Sequence, residues 1–207
     1  MDFFPLASGA TELVLASSSK YRAGLLQRLQ IPFTTTAPEL DETPEPNEAA
    51  EHLVQRLAAA KAKRVAQAHP SALIIGSDQV AVCDDRTLGK PGTAAKAREQ
   101  LATLSGRTVH FYTGLCLLNA ASGDSQVSVV DTPVTFRKLK SAEIANYVAR
   151  EQPLDCAGAF KSEGLGIALF QAIGGHDPNA LIGLPLIELC TMLALEGLFV
   201  LDQDLPG

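Results

Sequence analysis

Leu13-Val14-Leu15-Ala16-Ser17-Ser18-Ser19-Lys20-Tyr21-Arg22 joins an apolar run to three hydroxyl residues and a basic–aromatic–basic triplet. Leu25, Leu26 and Leu29 follow at helical spacing. The order reads as a buried strand (13–16), a tight turn and a helix over 21–30. Small hydroxyl residues at such a turn let backbone N–H groups approach an anion, and the helix N-terminus adds a positive dipole end. Ser17, Ser18 and Ser19 are therefore candidate phosphate contacts, and Arg22 supplies a planar fork matched to phosphate oxygens. The stretch is not a Walker loop, because no Gly-Lys-Ser/Thr follows, and not a Gly-x-Gly-x-x-Gly fingerprint. A hydroxyl-rich turn that only caps its helix is the plainer alternative.

Outward from this unit, 33–36 is a short β-branched segment leading into an acidic, proline-bearing loop, Pro38 to Pro46. Leu53, Leu57, Ala60 and Val65 recur at three-to-four spacing, which predicts one amphipathic helix over 47–68 with Asn47 as its N-cap. The continuous apolar run at 72–76 suits a strand covered on both faces, and 80–83 extends it to a turn at Asp84-Asp85. A helix is expected over 93–104. Two β-rich segments, 108–119 and 127–136, form an antiparallel hairpin. A helix with Ser141 as N-cap covers 141–150, strands are expected at 156–160 and 166–172, and a last helix at 184–195. Early alternation of strands and helices followed by antiparallel strands gives an α/β class: a mixed sheet with helices on its faces, in two lobes around a cleft.

With 207 residues, of which 46% are hydrophobic, the chain can bury a real core. A net charge of −6 argues against nucleic-acid or membrane-surface partners, so an anionic small ligand would need a local cluster of Lys and Arg. Aromatics are only 5% and Trp is absent, so a Tyr in a polar setting such as Tyr21 carries extra weight. Cys83, Cys116, Cys156 and Cys190 form no Cys-x-x-Cys pair, and the four histidines show no metal-ligand spacing. No apolar run is long enough to span a bilayer and residues 1–11 do not resemble a signal peptide, so a cytoplasmic location is expected.

The chemistry-bearing candidates are scattered. Asp78 follows an apolar strand, where open α/β sheets bind ligands at the carboxyl end. Asp41-Glu42 on the acidic loop could join it in supplying the oxygen ligands that Mg²⁺ or Mn²⁺ prefers. Lys90 sits between Gly89 and Pro91; Lys161 and Glu163 are two apart, on one face if extended; Lys61 lies within the long helix. Arg22, Lys61, Lys90 and Lys161 as cations, with Glu42, Asp78 and Glu163 as carboxylates, would suit a nucleoside triphosphate and a divalent metal.

These residues also carry a family resemblance. Leu15-Ala16-Ser17-Ser18-Ser19-x-x-Arg22, Asp41-Glu42-Thr43, Gly76-Ser77-Asp78-Gln79, Gly89-Lys90-Pro91, Ser105-Gly106, Tyr112-Thr113-Gly114 and Ala157-Gly158-Ala159-Phe160 resemble, in order, the Maf nucleotide pyrophosphatases. The resemblance runs from about residue 13 to residue 196. It implies a Maf/inosine-triphosphatase-like α/β fold, a single Maf-like domain over 12–200 preceded by an extension at 1–11, and a homodimer. It also implies hydrolysis of a nucleoside triphosphate to the monophosphate and pyrophosphate with a divalent cation (Mg²⁺, Mn²⁺ or Co²⁺), the proton acceptor falling on Asp78.

Within the family, the branch that cleaves dTTP and UTP usually reads Pro-Arg-Arg after the serines and Thr after the Asp. Lys20-Tyr21-Arg22, Gln79 and Lys161-Ser162-Glu163-Gly164 are instead similar to the 7-methyl-GTP pyrophosphatase branch, whose specificity positions correspond to Tyr21, Gln79 and Glu163. Lys20 in place of Pro, and Tyr where Trp is common, depart from that pattern. The expected activity is therefore 7-methyl-GTP hydrolysis that removes modified nucleotides from the pool. The alternatives are the same reaction on dTTP and UTP, or a nucleotide-binding regulator of septum formation with little catalysis.

Overall fold

A computed structural model describes residues 12–202, so the expected extension at 1–11 and the end of the tail at 203–207 lie outside the described residues. The apolar run at 72–76 does become a strand covered on both faces. β1 (Glu12–Ala16) and β3 (Ala72–Cys83) pair in parallel from Glu12↔Ala72 to Ala16↔Gly76. β2 (Thr34–Thr35) lies parallel to β1 on its outer edge. The other edge of β3 takes β5 (Thr108–Asn119), followed by β6 (Ser125–Phe136) and β7 (Phe170–Ile173), all antiparallel. The sheet order is β2-β1-β3-β5-β6-β7, with β4 (Arg86–Leu88) pairing Ala81–Cys83 of β3. Asp84 and Asp85 make the β3–β4 turn, both at positive φ, as a tight hairpin with right-handed strand twist requires.

One detail of this register makes the site. β1 leaves β3 at Gly76, and β4 joins the same edge only at Ala81. Between them one edge of β3 has no strand partner among the described residues, and β1 turns away there into α1 (Lys20–Gln27). Asp78, expected just past its strand, is thus in the middle of one; the parallel partner is what ends.

α2 (Ala50–Ala66) lies on one face of the sheet, with Ala58, Ala62 and Val65 against Val14, Ile74 and Cys116. It sits very close. A Cβ built on Gly76 would fall 2.1 Å from the Ala58 carbonyl oxygen, and one on Gly114 would fall 2.2 Å from that of Val54. The other face carries two apolar cores. α1 and α5 (Leu186–Leu195) cover Leu15, Leu73, Ile75, Leu115 and Leu117 at one end. α3 (Ala94–Leu104) and α4 (Ser141–Glu151) cover Ala81, Val109, Val134 and Phe136 at the other. Ser77, Gln79 and Thr113 form a polar belt between the two cores. Ser77 Oγ donates to the Gly183 carbonyl (2.9 Å), Gln79 Nε2 to those of Ala180 (2.8 Å) and Leu181 (3.2 Å), and Thr113 Oγ1 to that of Ala180 (3.0 Å). The two lobes therefore share one sheet, and the strap at 180–183 is tied across their junction.

Several local expectations need correction. The long helix starts at Ala50, because Asn47 stands at φ 60 and cannot serve as an extended N-cap. Glu48 does the anchoring instead. Its carboxylate accepts from the Glu45 N–H (2.9 Å) and from both Nε and Nη2 of Arg56 (2.6 and 2.7 Å). Those hydrogen bonds, led by Arg56, hold the Glu48 carboxyl down at about 2. They also fix the loop that carries Glu42. The first helix stops at Gln27, and Gln30 adopts φ 55. Ser141 is the first helical residue of α4, not its cap. Residues 156–160 and most of 166–172 are 3₁₀ turns, Ala157–Ala159 and Leu165–Leu169, since Gly158 (φ 76) and Ala159 (φ 57) bend the chain out of an extended path. The four cysteines are free. Among the described residues no helix is long and apolar enough to cross a membrane.

Candidate active site

The gap in the edge of β3 opens into a cleft of about 600 Å³. Its floor begins where β1 ends. Ser17 Oγ accepts from the Ser19 N–H (3.1 Å), and Ser19 Oγ caps α1 by accepting from the Arg22 N–H (3.4 Å). Both hydroxyls act as local caps and keep their own O–H to donate. Ser17, Ser18 and Ser19 all line the cleft, beside the N–H groups that the first turn of α1 leaves unpaired.

Arg22 is held by its Nε, which donates to the Gly183 carbonyl at 2.8 Å. Gly183 stands at φ 117, a conformation that turns this carbonyl toward both Arg22 and Ser77 and that favours glycine. Burial lowers the Arg22 pKa, while Asp78 and Glu42 oppose the shift. The guanidinium therefore sits in a partly dry setting, where an anion is bound more strongly than at an open surface.

Lys61 projects from α2 and is 5% exposed. Its ammonium lies 2.6 Å from Asp78 Oδ1 and 2.7 Å from Glu42 Oε1. Asp78 is 7% exposed, whereas Glu42 stands at the mouth. One cation thus holds two carboxylates together, and Asp78 Oδ2 has no hydrogen bond to the described residues. Lys90 lines the cleft from the loop after β4. Among the described residues no three His, Cys, Asp or Glu side chains form a preformed metal cage. Two clustered carboxylates are nevertheless the hard oxygen donors that Mg²⁺-type sites use when phosphates and water complete the shell.

Tyr21, next to Arg22 in α1, also lines the cleft. Burial raises its hydroxyl pKa, and Cys156, Asp155, Glu163 and Glu151 each raise it further. The Lys20 ammonium lies over its ring, 5.2 Å from the centroid. Glu163 lines the cleft, and its hydrogen bond among the described residues is a 3.4 Å contact from Ser162 Oγ. Gln79 lines it too, but its Nε2 is committed to Thr113 and the strap carbonyls, leaving Oε1 as the group available to a ligand.

Lys161 does not join the others. Its Nζ donates to the Glu151 carbonyl (3.2 Å), lies 3.9 Å from Glu151 Oε1, and the residue is not among those lining the cleft. Phe160, quoted within the family motif, lines the cleft, as do Asp155 and Gly183, which the sequence reading did not name.

The cleft thus gathers Arg22, Lys61 and Lys90 with Asp78 and Glu42, and gathers Asp155, Glu163 and Lys20 with Tyr21. The family model described as Maf-like protein matches residues 12–196. The chain belongs to the Maf family. Among its Maf relatives is a 7-methyl-GTP pyrophosphatase from Nitrosococcus oceani, 56% identical over 189 residues, covering 91% of this chain and 95% of that one. Another of the same name, from Pseudomonas fluorescens, is 55% identical over 185 residues, covering 89% and 96%. A solved structure, the Staphylococcus aureus Ham1 protein, aligns over 62% of this chain and 73% of its own at 16% identity, with a TM-score of 0.43. This Maf chain therefore aligns with both named relatives over nearly its full length.

Proposed function

We propose that this Maf protein hydrolyses 7-methyl-GTP to 7-methyl-GMP and pyrophosphate, and so clears modified nucleotides before polymerases meet them. The observation that supports this reading best is the set of groups that line the cleft. Three cations, Arg22, Lys61 and Lys90, suit the triphosphate, with Ser17, Ser18 and Ser19 beside them. The Tyr21 ring, with Asp155 and Glu163 in the same cleft, suits a base that is itself positive, as 7-methylguanine is, and such a base would take the place of the Lys20 ammonium over the ring. Glu163 can accept from the guanine N1 and N2 donors, and Gln79 Oε1 can accept as well. A uracil ring offers neither the charge nor that donor pair. The names of the two relatives point to the same substrate.

Asp78 accepts the proton of a water attacking the α-phosphorus. The new P–O bond forms as the α–β anhydride bond breaks, and pyrophosphate leaves toward Arg22 and Lys90. Lys61 orients the Asp78 carboxylate through Oδ1, so Oδ2 is the oxygen that faces the water. Glu42 and Asp78 are the residues that would hold a divalent cation. When bound, such a cation neutralises phosphate charge and polarises the phosphoryl group.

The base end is tested with Tyr21→Ala. Loss of the ring is expected to raise KM for 7-methyl-GTP about tenfold, within the range of cation–π stacking, with little change for UTP. Tyr21→Trp is expected to lower KM for 7-methyl-GTP. Equal effects of Tyr21→Ala on the two nucleotides would contradict the assignment.

A further inference from the structure

We infer that Asp155 is a specificity residue of the same cleft, whose uncompensated carboxylate selects a purine base that carries positive charge. The inference rests on the reading of Tyr21 and Glu163 as the base-binding end.

Asp155 lines the cleft from a loop held in place on both sides. The Gly92 N–H donates to the Leu154 carbonyl (3.0 Å), Pro153 is buried, and the Ala159 N–H closes a turn onto the Cys156 carbonyl (3.2 Å). The backbone is therefore positioned before any ligand arrives. The carboxylate itself is hardly used by the protein. Its hydrogen bond among the described residues is a 3.5 Å contact from the Cys156 thiol, a weak donor, and it has no ion pair among them.

The other acids of the site differ. Asp78 and Glu42 share Lys61, and Glu151 accepts from the Leu165 N–H at 2.8 Å with Lys161 nearby. Asp155 and Glu163 line the cleft with Tyr21 and have no ion pair among the described residues; the cation at this end is Lys20, whose ammonium stands 5.2 Å from the Tyr21 ring centroid and would give way to a positively charged base. Burial pushes the Cys156 thiol up to about 12, so it stays protonated and adds no charge. The field of Asp155 reaches Tyr21, where it acts on the hydroxyl in the same sense as Glu163. A cationic ring stacked on Tyr21 would lie in that field; a neutral ring of identical shape would gain nothing from it. Glu163 can recognise the hydrogen-bond donors of guanine, which neutral and alkylated guanine share, while Asp155 recognises the charge that only the alkylated base has.

The test compares 7-methyl-GTP with its uncharged isostere 7-deaza-7-methyl-GTP in the wild type, Asp155→Asn and Asp155→Glu. The ratio of kcat/KM for the charged over the neutral nucleotide is expected to fall about fivefold in Asp155→Asn, the upper end for an exposed charge pair. The fall should appear in KM, and Asp155→Glu should restore the ratio. A ratio unchanged in Asp155→Asn, or equal losses on both nucleotides, would overturn the role of Asp155. A wild-type ratio near one would overturn the base-end reading itself, and this inference with it.

Discussion

Asp78→Asn is expected to release pyrophosphate from 7-methyl-GTP at least ~100-fold more slowly than the wild type, the loss assigned to a general base. The substitution keeps the shape of the side chain and an oxygen that can still accept from Lys61. It removes the negative charge, but Lys61 retains Glu42 at 2.7 Å, so the buried ammonium is not orphaned. Folding and nucleotide binding should therefore survive, and the change should appear in kcat. The same variant separates enzyme from binding module. If wild type and Asp78→Asn bind nucleotide alike and both release negligible pyrophosphate, the protein is a nucleotide-binding regulator and the catalytic account fails.

Gly76→Ala is the substitution expected to cost the most stability. Its Cβ would fall 2.1 Å from the Ala58 carbonyl oxygen and 3.0 Å from the Ala62 backbone nitrogen. Both contacts are backbone atoms of α2, so no side chain can swing away. The helix has to lift off the sheet, at about 2–3 kcal/mol for overpacking, which for a chain of this size lowers Tm by about 5–10 °C. Lys61 belongs to α2, so lifting the helix also draws its ammonium away from Asp78. Activity should then fall with stability. Gly24→Ala is the control. It lies in α1 with nothing within 4 Å of the added carbon, and it should be neutral or slightly stabilising. Thermal melting and pyrophosphate release of the two variants check both halves. A Gly76→Ala protein with wild-type Tm would mean that α2 does not seat on the sheet as described.

The elements that set the site were legible because hydrophobic pattern reports burial. The run at 72–76 is apolar on both faces because α2 covers one and α1 with α5 the other. The hairpin of β5 and β6 was legible for the same reason, with Ala121-Ser122-Gly123-Asp124 between. Asn47 was misread because capping depends on backbone conformation, and Glu48 with Arg56 holds that loop in a shape Asn47 cannot cap. The strands expected at 156–160 and 166–172 have suitable composition, yet their chain is bent at Gly158 and at Gly166, where a Cβ would meet the Lys161 carbonyl at 2.3 Å.

At the site, residue type indicated possible roles, but pairing depends on contacts distant in sequence. Arg22, Lys61 and Lys90 converge on one cleft, whereas Lys161, no different by sequence, is drawn to Glu151 on α4. Gly183 was not anticipated, since its part is played by a carbonyl that binds Arg22 and Ser77. Asp155 escaped notice because a single acid in a loop is ordinary until it is seen to line the same cleft as Tyr21.

The most direct measurement is kcat/KM for pyrophosphate release by the purified protein on 7-methyl-GTP, GTP, UTP and dTTP with a divalent cation present. A cleft that offers Arg22, Lys61 and Lys90 to the phosphates, and the Tyr21 ring with Asp155 and Glu163 to the base, predicts 7-methyl-GTP as the best of the four, at least about tenfold above GTP, which lacks the positive ring. UTP or dTTP turned over as fast as 7-methyl-GTP would contradict it.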